Sequence, residues 1–362
     1  MYLAPDAASA ADHAGDTGDI NKFHRRDAEG AEEKACIVTL ADIKQARTLL
    51  QGIAVRTPLF AWPYASDQRK LFLKLENLQP IGAFKLRGAY NKVASLSQDD
   101  RRRGVISYSS GNHAQGVAYA ARALGVKAII VMPSNAPKNK LSATAALGAE
   151  IVIVGPGSEE RRLRAEALAA ERGYIIVPPY NDEKIIAGQG TVGLEILEDL
   201  PNVETIIVPV GGGGLISGVS AAIKLTNPKI NVIGAEPELA SDARASLRAG
   251  HIVSFAAEKV SETLADGLRT QSIGAINFEH IHAYVDNIVG VTEDEIRAAT
   301  LALSANPKTV AEPSGAVAPA AFLFHASELP ATKINVAVVS GGNVDPALLV
   351  ELRQENTAGL RS

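Results

Sequence analysis

Cysteine is almost absent from this chain of 362 residues, which contains only Cys36. A single cysteine cannot form an internal disulfide, a zinc cluster or an iron–sulfur site, so we expect a buried structural thiol and no cysteine chemistry. The sequence also lacks an apolar run of the roughly 20 residues that a membrane helix needs, and it begins without the apolar stretch of a signal peptide. These absences predict a soluble, cytoplasmic protein without a membrane partner.

An excess of positive charge is missing as well. The chain has 36 basic and 40 acidic residues, and residues 1–34 hold eight of the acidic but only four of the basic ones, which leaves 32 of each sign in the rest. Because the rest of the chain has no excess of basic residues, it offers no positively charged surface for the phosphates of nucleic acid, and we predict no nucleic-acid partner. Residues 1–35 contain few large apolar side chains and are predicted to be a disordered acidic leader, and residues 356–362 a tail.

What the sequence does contain, from Val38 onward, is a regular alternation of two kinds of segment. Short β-branched apolar runs, such as 105–107, 128–132 and 205–210, alternate with longer segments of helical period. Strands that are apolar throughout predict parallel sheets covered by helices on both faces. Because single cores stop growing beyond roughly 250 to 300 residues, we predict an α/β protein of two lobes, each built on an open, mostly parallel twisted sheet.

Two local patterns give more detailed expectations. Thr39 stands three residues before Asp42, which predicts a capped helix over residues 41–50. The two acidic and three basic residues at 99–103 are interpreted as a solvated turn that marks a lobe boundary.

Lys85 is the centre of the first of four segments that could carry chemistry. Pro80 and Gly82 end an extended run before it, and Lys85 begins a helix whose face it shares with Gly88 and Ala89. A lysine at a helix start is usually a solvated surface residue, because the positive end of the helix dipole disfavours it. The alternative is a desolvated lysine with a lowered pKa, as an amine that forms an imine requires.

The second segment, residues 108–116, is a strand end that runs into a helix. Ser109 and Ser110 are as compatible with helix caps as with ligand contacts. His113 has the same ambiguity, and no second histidine or carboxylate at ligand spacing supports a metal there. On spacing alone we interpret the His113 side chain as structural.

Four consecutive glycines, Gly211–Gly214, form the third segment, between a buried apolar run and a helix. Consecutive backbone N–H groups can turn toward one anion there, helped by about +0.5 charge at the helix start. A structural turn needs only one or two glycines, so the segment predicts a phosphate site. Ile216 and Ser217 stand where the dinucleotide fingerprint would have its final glycine, and no Walker loop follows, which disfavours nicotinamide and nucleotide sites.

The fourth segment, Ser340–Asn343, follows the apolar run 336–339. Alone it is an ordinary turn. A phosphate loop, a lysine that can form an imine and a hydroxyl at a strand end are together the partners that pyridoxal phosphate needs for its phosphate, its aldehyde and its ring nitrogen. The sequence therefore predicts pyridoxal 5′-phosphate as the cofactor.

In these segments the sequence resembles the pyridoxal-phosphate enzymes of the tryptophan synthase β fold, and within them the threonine dehydratase and serine racemase family. The likeness covers about residues 38–350. The matching motifs are, in chain order, the Schiff-base segment Gly82–Ala89, the asparagine loop Ser109–Gln115, the phosphate loop Gly211–Gly214 and the ring-nitrogen strand end Ser340–Asn343. Ile81 and Ala83 depart from the family's usual Thr-Gly-Ser-Phe-Lys, and this removes two hydroxyl groups near the cofactor.

The resemblance implies a tryptophan synthase β-like fold with two lobes and a homodimer. Residues 36–103 and 182–355 would form a large cofactor-binding lobe, and residues 104–181 a small mobile lobe inserted in it.

The resemblance also implies roles for individual residues. Lys85 would carry the imine, Phe84 would pack near the ring, Asn112 would donate to the ring's 3′ oxygen and Ser340 would meet the ring nitrogen. The phosphate would lie against Gly211, Gly212, Gly213, Gly214 and Leu215, and the substrate against Ser109, Ser110, Asn112 and His113.

Two further segments are similar to motifs of this family. Glu236–Asp242 matches the divalent-cation segment of serine racemase, in which the carboxylates of Glu236 and Asp242 and the carbonyl oxygen of Ala240 would suit Mg²⁺ or Ca²⁺. A solvated acidic helix start is the alternative interpretation. Residues 312–315 match a Glu-Pro-Thr/Ser-Gly turn near the cofactor.

The implied activity is a dehydratase, or ammonia-lyase, that converts a β-hydroxy amino acid such as L-threonine or L-serine to a 2-oxo acid and ammonia, with Lys85 as the base at Cα. A racemase that uses Lys85 and Ser110 on opposite faces is the nearest alternative, and a 3-hydroxyaspartate dehydratase satisfies the same chemistry. A non-catalytic module for a phosphate ligand would not need Lys85. A serine at the ring nitrogen does not enforce a pyridinium as an aspartate does, so we expect elimination to exceed racemisation.

Overall fold

The structure, a computed structural model, describes residues 37–63 and 65–359, without the side chains of Ser158 and of residues 355–359. Cys36, the predicted leader and the predicted tail beyond residue 359 lie outside the described residues. Within the described part, no helix has the length and the apolar character needed to cross a membrane.

In the residues that the structure describes, ten strands form two sheets. The six-stranded sheet has the order β1-β2-β10-β7-β8-β9. Neighbouring strands in it are parallel, except for the antiparallel pair β1 and β2. Its strands are β1 (Leu59–Ala61), β2 (Lys70–Leu75), β7 (Thr205–Pro209), β8 (Asn231–Pro237), β9 (Asn287–Val291) and β10 (Ile334–Val339). The four-stranded sheet is parallel, in the order β5-β4-β3-β6, and contains β3 (Val105–Tyr108), β4 (Ala128–Pro133), β5 (Glu150–Val154) and β6 (Ile175–Ile176).

Helices connect these strands and cover the sheets. They are α1 (Leu40–Leu49), α2 (Lys85–Ala94), α3 (Gln98–Arg103), α4 (Asn112–Leu124), α5 (Lys138–Ala146), α6 (Ser158–Arg172), α7 (Glu183–Asp199), α8 (Gly214–Lys224), α9 (Asp242–Ala249), α10 (Ala257–Ser261), α11 (Ala275–Tyr284), α12 (Glu293–Leu303), α13 (Pro313–Phe324) and α14 (Pro346–Gly359). The prediction of an α/β fold with mostly parallel sheets is confirmed.

The division into a large lobe and a small mobile lobe stays a prediction. The described chain from residue 37 onward belongs to one compact unit. The strands of the six-stranded sheet come from the ranges predicted for the large lobe, and β3–β6 come from the range predicted for the small one.

Strand β10 shows why the apolar runs are continuous. Val336 and Val338 pack in the core that contains α8, whereas Ala337 and Val339 pack in the core that contains α12 and α13. Because successive side chains point to opposite faces and both faces are buried, the strand is apolar at every position except Asn335, whose amide donates to the Lys70 and Thr332 carbonyls at 3.1 Å each.

The two local expectations had different outcomes. The Thr39 hydroxyl accepts a hydrogen bond from the backbone N–H of Asp42 at 3.2 Å, and the Asp42 carboxylate accepts one from the Thr39 N–H at 3.0 Å, so the capping box is confirmed on α1. The prediction of a turn at residues 99–103 was wrong, because these residues form most of α3. Ser97 caps that helix through the Asp100 N–H at 3.1 Å, and acidic residues in the first turn and basic residues in the last suit the helix dipole.

A buried cluster of four charges fixes α2, the helix that begins at Lys85. Arg87, 1% exposed, donates to Glu76 at 2.8 Å and to Glu195 at 2.7 Å. Lys74 on β2 donates to Glu195 at 2.6 Å. Breaking a buried pair leaves an uncompensated charge at a cost of about 3–5 kcal/mol, so this cluster holds α2 against β2 and α7.

The segment before Lys85 also lies beside the end of β10. The Phe84 N–H donates to the Ser340 carbonyl at 3.0 Å, and the Gly342 N–H donates to the Gly82 carbonyl at 2.9 Å. Two predicted motifs that are more than 250 residues apart in the chain therefore meet by backbone hydrogen bonds.

Candidate active site

Most of the predicted cofactor and substrate residues line one cavity of about 370 Å³. Its walls include segments that follow β3, β7 and β10, and carboxyl ends of strands are where α/β sheets bind ligands. Eight predicted residues line it: Phe84, Lys85, Ser109, Ser110, Asn112, His113, Gly212 and Ser340. Four other predicted residues, Gly211, Gly213, Gly214 and Leu215, adjoin Gly212 in the loop and the first turn of α8.

Lys85 is a desolvated amine. Its Nζ donates to the Pro179 carbonyl at 2.7 Å and lies 5.1 Å from the centre of the Phe84 ring. In the described part of the chain no carboxylate forms an ion pair with it, and burial lowers the pKa of Lys85 to about 8. These observations favour the reactive amine over the solvated surface lysine.

The glycine loop leaves space where side chains would collide. Gly213 has φ +94°, in the left-handed region, and a Cβ on it would come within 2.8 Å of the Asn277 Cβ. A Cβ on Gly212 would overlap the ring of Tyr180. Helix α8 begins directly after Gly213, so its free N–H groups are available to an anion.

Asn112 is held by two side chains at the start of α4. Its Nδ2 donates to Glu312, and its Oδ1 accepts from Asn343 Nδ2 at 2.9 Å. An amide nitrogen carries two hydrogens, so one remains for a cofactor oxygen. Asn343 also donates to the backbone carbonyl of Ile81 at 2.9 Å. Ile81, one of the two residues that differ from the family's usual sequence, therefore lies next to this network.

The loop before α4 is not closed by a side-chain cap. Helix α4 has no capping hydrogen bond, and the Ser109 hydroxyl instead accepts from the Gly111 N–H at 3.2 Å in a local turn. The helix-cap interpretation of Ser109 and Ser110 was therefore wrong, and both serines instead line the cavity, together with Asn112 and His113 of the first turn of α4.

His113 is buried and neutral. Its Nε2 donates to the Val177 carbonyl at 3.1 Å, whereas its Nδ1 has no hydrogen-bond partner. Burial, with the nearby positive charge of Lys85, lowers the pKa of His113 to about 3. The bond to Val177 agrees with the structural interpretation, and Nδ1 remains an unused acceptor.

Ser340 ends β10 at the cavity, and its hydroxyl donates to the Ser314 carbonyl at 3.4 Å. Sequence reasoning missed several other residues of the cavity wall, among them Lys140, Tyr180 and Asp266. No spacing pattern singles them out, because each comes from a connection or helix that only the fold brings to the cavity.

None of the residues of the predicted cation segment lines this cavity. Glu236 and Asp242 are both fully buried, and neither carboxylate oxygen of Asp242 has a hydrogen-bond partner. The Glu236 carboxylate accepts from the backbone N–H groups of Ala243 at 3.1 Å and Arg244 at 2.8 Å. Burial raises the pKa of Asp242 to about 7, and burial next to Asp242 raises that of Glu236.

The burial of both carboxylates contradicts the alternative interpretation, a solvated acidic helix start. Among the described residues no group of three or more His, Cys, Asp or Glu side chains could hold a metal. A cation at this position would therefore need oxygen ligands beyond the two carboxylates, and the buried Ala240 was predicted to supply its carbonyl.

A desolvated lysine and a four-glycine anion loop in one cavity fit pyridoxal phosphate, and the comparison with known families decides the assignment. A family model described as pyridoxal-phosphate dependent enzyme matches residues 50–341. The chain belongs to this family. The roles predicted for Lys85, the glycine loop, Asn112 and Ser340, as contacts of the cofactor's reactive group, phosphate, ring oxygen and ring nitrogen, stay predictions.

Named relatives of this pyridoxal-phosphate-dependent enzyme include an L-threonine ammonia-lyase of Thermotoga maritima, 47% identical over 85% of this chain and 76% of the relative. A solved threonine deaminase is 40% identical with a TM-score of 0.78, covering 85% of this chain and 99% of the other. A serine racemase structure from Dictyostelium discoideum is 36% identical with a TM-score of 0.79, covering 86% of this chain and all of the other. The predicted family, fold, cofactor and dehydratase class are confirmed.

Proposed function

We propose that this enzyme is an L-threonine ammonia-lyase, which converts L-threonine to 2-oxobutanoate and ammonia. The observation that carries the proposal is the placement of the Lys85 amine, with a pKa lowered to about 8, in the cavity that the glycine loop and the uncapped start of α4 also enclose. The relatives named for threonine lyase or deaminase activity support this choice of substrate.

Pyridoxal phosphate, when bound, supplies an electron sink for the bond that breaks at Cα. Lys85 takes the Cα proton as general base, a contribution of typically about 10² to 10⁴-fold. The hydroxyl leaves from Cβ with its bonding electrons and a proton, as water. The released enamine gains a proton at Cβ and reacts with one water, which yields the 2-oxo acid and ammonia.

The start of α4 is the binding position for the substrate carboxylate in this proposal. The N–H groups of its first turn have no side-chain cap, and a helix start favours an anion. Ser109, Ser110, Asn112 and His113 surround this position and line the cavity. The His113 ring stays neutral at physiological pH, so it adds no charge of its own.

Racemisation is the second candidate function, because Ser110 lines the cavity and a serine racemase is among the similar structures. Racemisation needs a second acid or base on the face opposite Lys85, whereas elimination from the L-substrate needs one base. We expect Ser110→Ala to lose racemisation and elimination from D-serine by about 10² to 10⁴-fold and to retain elimination from L-threonine.

One assay tests both functions. L-threonine, L-serine, D-serine and L-3-hydroxyaspartate are offered to the wild type and to Ser110→Ala, and oxo-acid release and substrate chirality are followed in the same reaction. Predominant L-to-D conversion by the wild type would favour the racemase. Equal loss of every activity in Ser110→Ala would instead make Ser110 a substrate-positioning residue.

We further propose that Glu236, Ala240 and Asp242 hold Mg²⁺ or Ca²⁺, because two buried Asp242 oxygens lack partners. A chelator should then lower the melting temperature and the activity together, since a ligand at 100 times its Kd adds about 2.7 kcal/mol of stability to the native state. Asp242→Asn is the matched control and should melt at the same temperature with and without chelator. Equal melting of the wild type in chelator and in Mg²⁺ or Ca²⁺ would exclude the site.

A cytoplasmic location and a homodimer complete the proposal. Both follow from the sequence and from the family resemblance, and light scattering on the purified protein, with fractionation of the source cells, tests them. A monomeric mass would contradict the dimer.

A further inference from the structure

Lys140 is a buried lysine that the reaction proposed above does not use. It lies on α5, which follows β4 of the four-stranded sheet, and is 4% exposed. Its ammonium donates to Asp266 at 2.6 Å and lies 3.2 Å from a carboxylate oxygen of Glu312. Asp266 begins a 3₁₀ turn over residues 266–268, and Glu312 is the residue before α13, so one side chain joins three separate elements at the cavity wall.

The stem of Lys140 also supports the loop before α4. A Cβ on Gly111 would lie 2.9 Å from the Lys140 Cδ, so the lysine packs directly against Gly111. Any residue larger than glycine at position 111 would displace either the loop or the lysine. Lys140 is therefore in contact with the segment that carries Ser110 and Asn112.

Glu312 connects Lys140 with Asn112, because its carboxylate contacts both side chains. Its Oε1 accepts the hydrogen bond from Asn112 Nδ2, and its Oε2 faces Lys140. A Cβ on Gly341 would overlap Glu312 Oε1, so the carboxylate also packs against the turn that follows β10. Glu312 is 2% exposed, and a carboxylate so buried needs compensation.

We propose that Lys140 is a positioning residue, which keeps Glu312 ionised and fixed so that Glu312 holds the Asn112 amide in the orientation the cofactor's ring oxygen requires. The charged groups beside Glu312 are Lys140 from α5 and Asp266 from the 3₁₀ turn, and the polar group is Asn112 from α4. Glu312 is buried and Asp266 is one-third exposed, and the ammonium of Lys140 between them offsets the repulsion that would otherwise favour protonation of Glu312.

The pKa of Glu312 decides the sign of the expected effect. Burial raises it, Lys140 opposes the rise and Asp266 adds to it. Removal of the ammonium should therefore move the pKa of Glu312 further up, so that the carboxyl gains its proton at a higher pH than in the wild type. A protonated Glu312 no longer offers Asn112 a charged acceptor, whereas alkaline pH restores it.

The experiment compares Lys140→Met with Lys140→Arg and with Lys138→Met, an exposed lysine of the same helix, as holoenzymes and as apoenzymes. For Lys140→Met we expect kcat/KM for L-threonine to fall by about 10 to 100-fold at pH 7, the range for a lost hydrogen bond to a charged group, and to recover at pH 9. The affinity of its apoenzyme for pyridoxal phosphate, measured by absorbance titration, should fall and recover over the same pH range. Lys140→Arg and Lys138→Met should follow the wild type.

Glu312→Gln keeps the proposal testable should Lys140→Met fail to fold. A glutamine cannot ionise, so the ratio of this variant's cofactor affinity to that of the wild type should be the same at pH 7 and pH 9, because both proteins share the pH dependence of Lys85. Wild-type behaviour of Lys140→Met, or a loss that is equal at both pH values, would overturn the proposal. The kinetic measurement rests on the proposed function, whereas the cofactor titration does not. If the wild type were inactive on L-threonine and the titrations gave the expected results, only the proposed substrate would be rejected.

Discussion

Replacing Lys85 with alanine should abolish the covalent attachment of the cofactor and reduce dehydration by more than roughly 10⁴-fold, beyond what one general base contributes. Lys85 is the amine in the cavity that has no ion-pair partner among the described residues, and its pKa of about 8 leaves part of it neutral at physiological pH. The other lysine of the wall, Lys140, is engaged by two carboxylates. No second amine is therefore available to replace it.

The measurement is borohydride reduction of the holoenzyme, denaturation and the mass of the chain. The wild type should retain one cofactor and Lys85→Ala none, with Lys44→Ala, an exposed lysine on α1, as the control that behaves like the wild type. The rate at which the wild-type apoenzyme attaches the cofactor should rise as the pH passes through about 8, because only the neutral amine attacks an aldehyde. A cofactor that stays bound to the Lys85→Ala chain after denaturation would place the attachment on another residue.

Replacing Gly213 with alanine should weaken cofactor binding by about 10 to 100-fold. The φ of +94° at Gly213 costs a non-glycine residue about 1–3 kcal/mol, and the added Cβ would come within 2.8 Å of the Asn277 side chain. The loop must then shift away from the position in which its N–H groups meet the phosphate. The affinity of the apoenzyme for pyridoxal phosphate, from an absorbance titration, measures the effect.

Gly148→Ala separates backbone strain from the loss of the phosphate site. Gly148 has φ +89°, nearly the same conformation, but nothing lies within 4 Å of the Cβ position there. Both variants should lose a similar amount of stability to strain, and only Gly213→Ala should lose cofactor affinity. Equal affinities in the two variants would mean that the phosphate does not lie at this loop.

The local parts of the fold and site could be predicted from sequence because neighbouring residues determine them. The capping box of Thr39 and Asp42, the helix that begins at Lys85 and the four glycines before α8 each depend on a few consecutive residues. The buried parallel strands were visible for a similar reason, since strands covered on both faces are apolar at nearly every position.

The remaining features depend on partners far along the chain. Strand β2 contains Lys74, which reads as a surface residue, yet it is buried against Glu195, 121 positions away. Lys140 and Asp266 are 126 positions apart, so no spacing rule could have placed both at the cavity. The helix at residues 98–103 was missed because its charge pattern, acidic first and basic last, is as typical of a short exposed helix as of a turn.

The position of β10 has a consequence for biosynthesis. In the six-stranded sheet β2 pairs with β1 and β10 alone, and the residues before Lys85 bond to the turn after β10, although β10 is the last of the described strands to be made. A ribosome adding about 5–20 residues per second needs roughly 13–50 s to make the roughly 260 residues between β2 and β10. During that interval β2 and the residues before Lys85 lack β10 and the turn after it as hydrogen-bond partners. A chain released before β10 is made therefore cannot assemble the site. The aldehyde-reactive lysine thus acquires its complete surroundings only after β10 has been made.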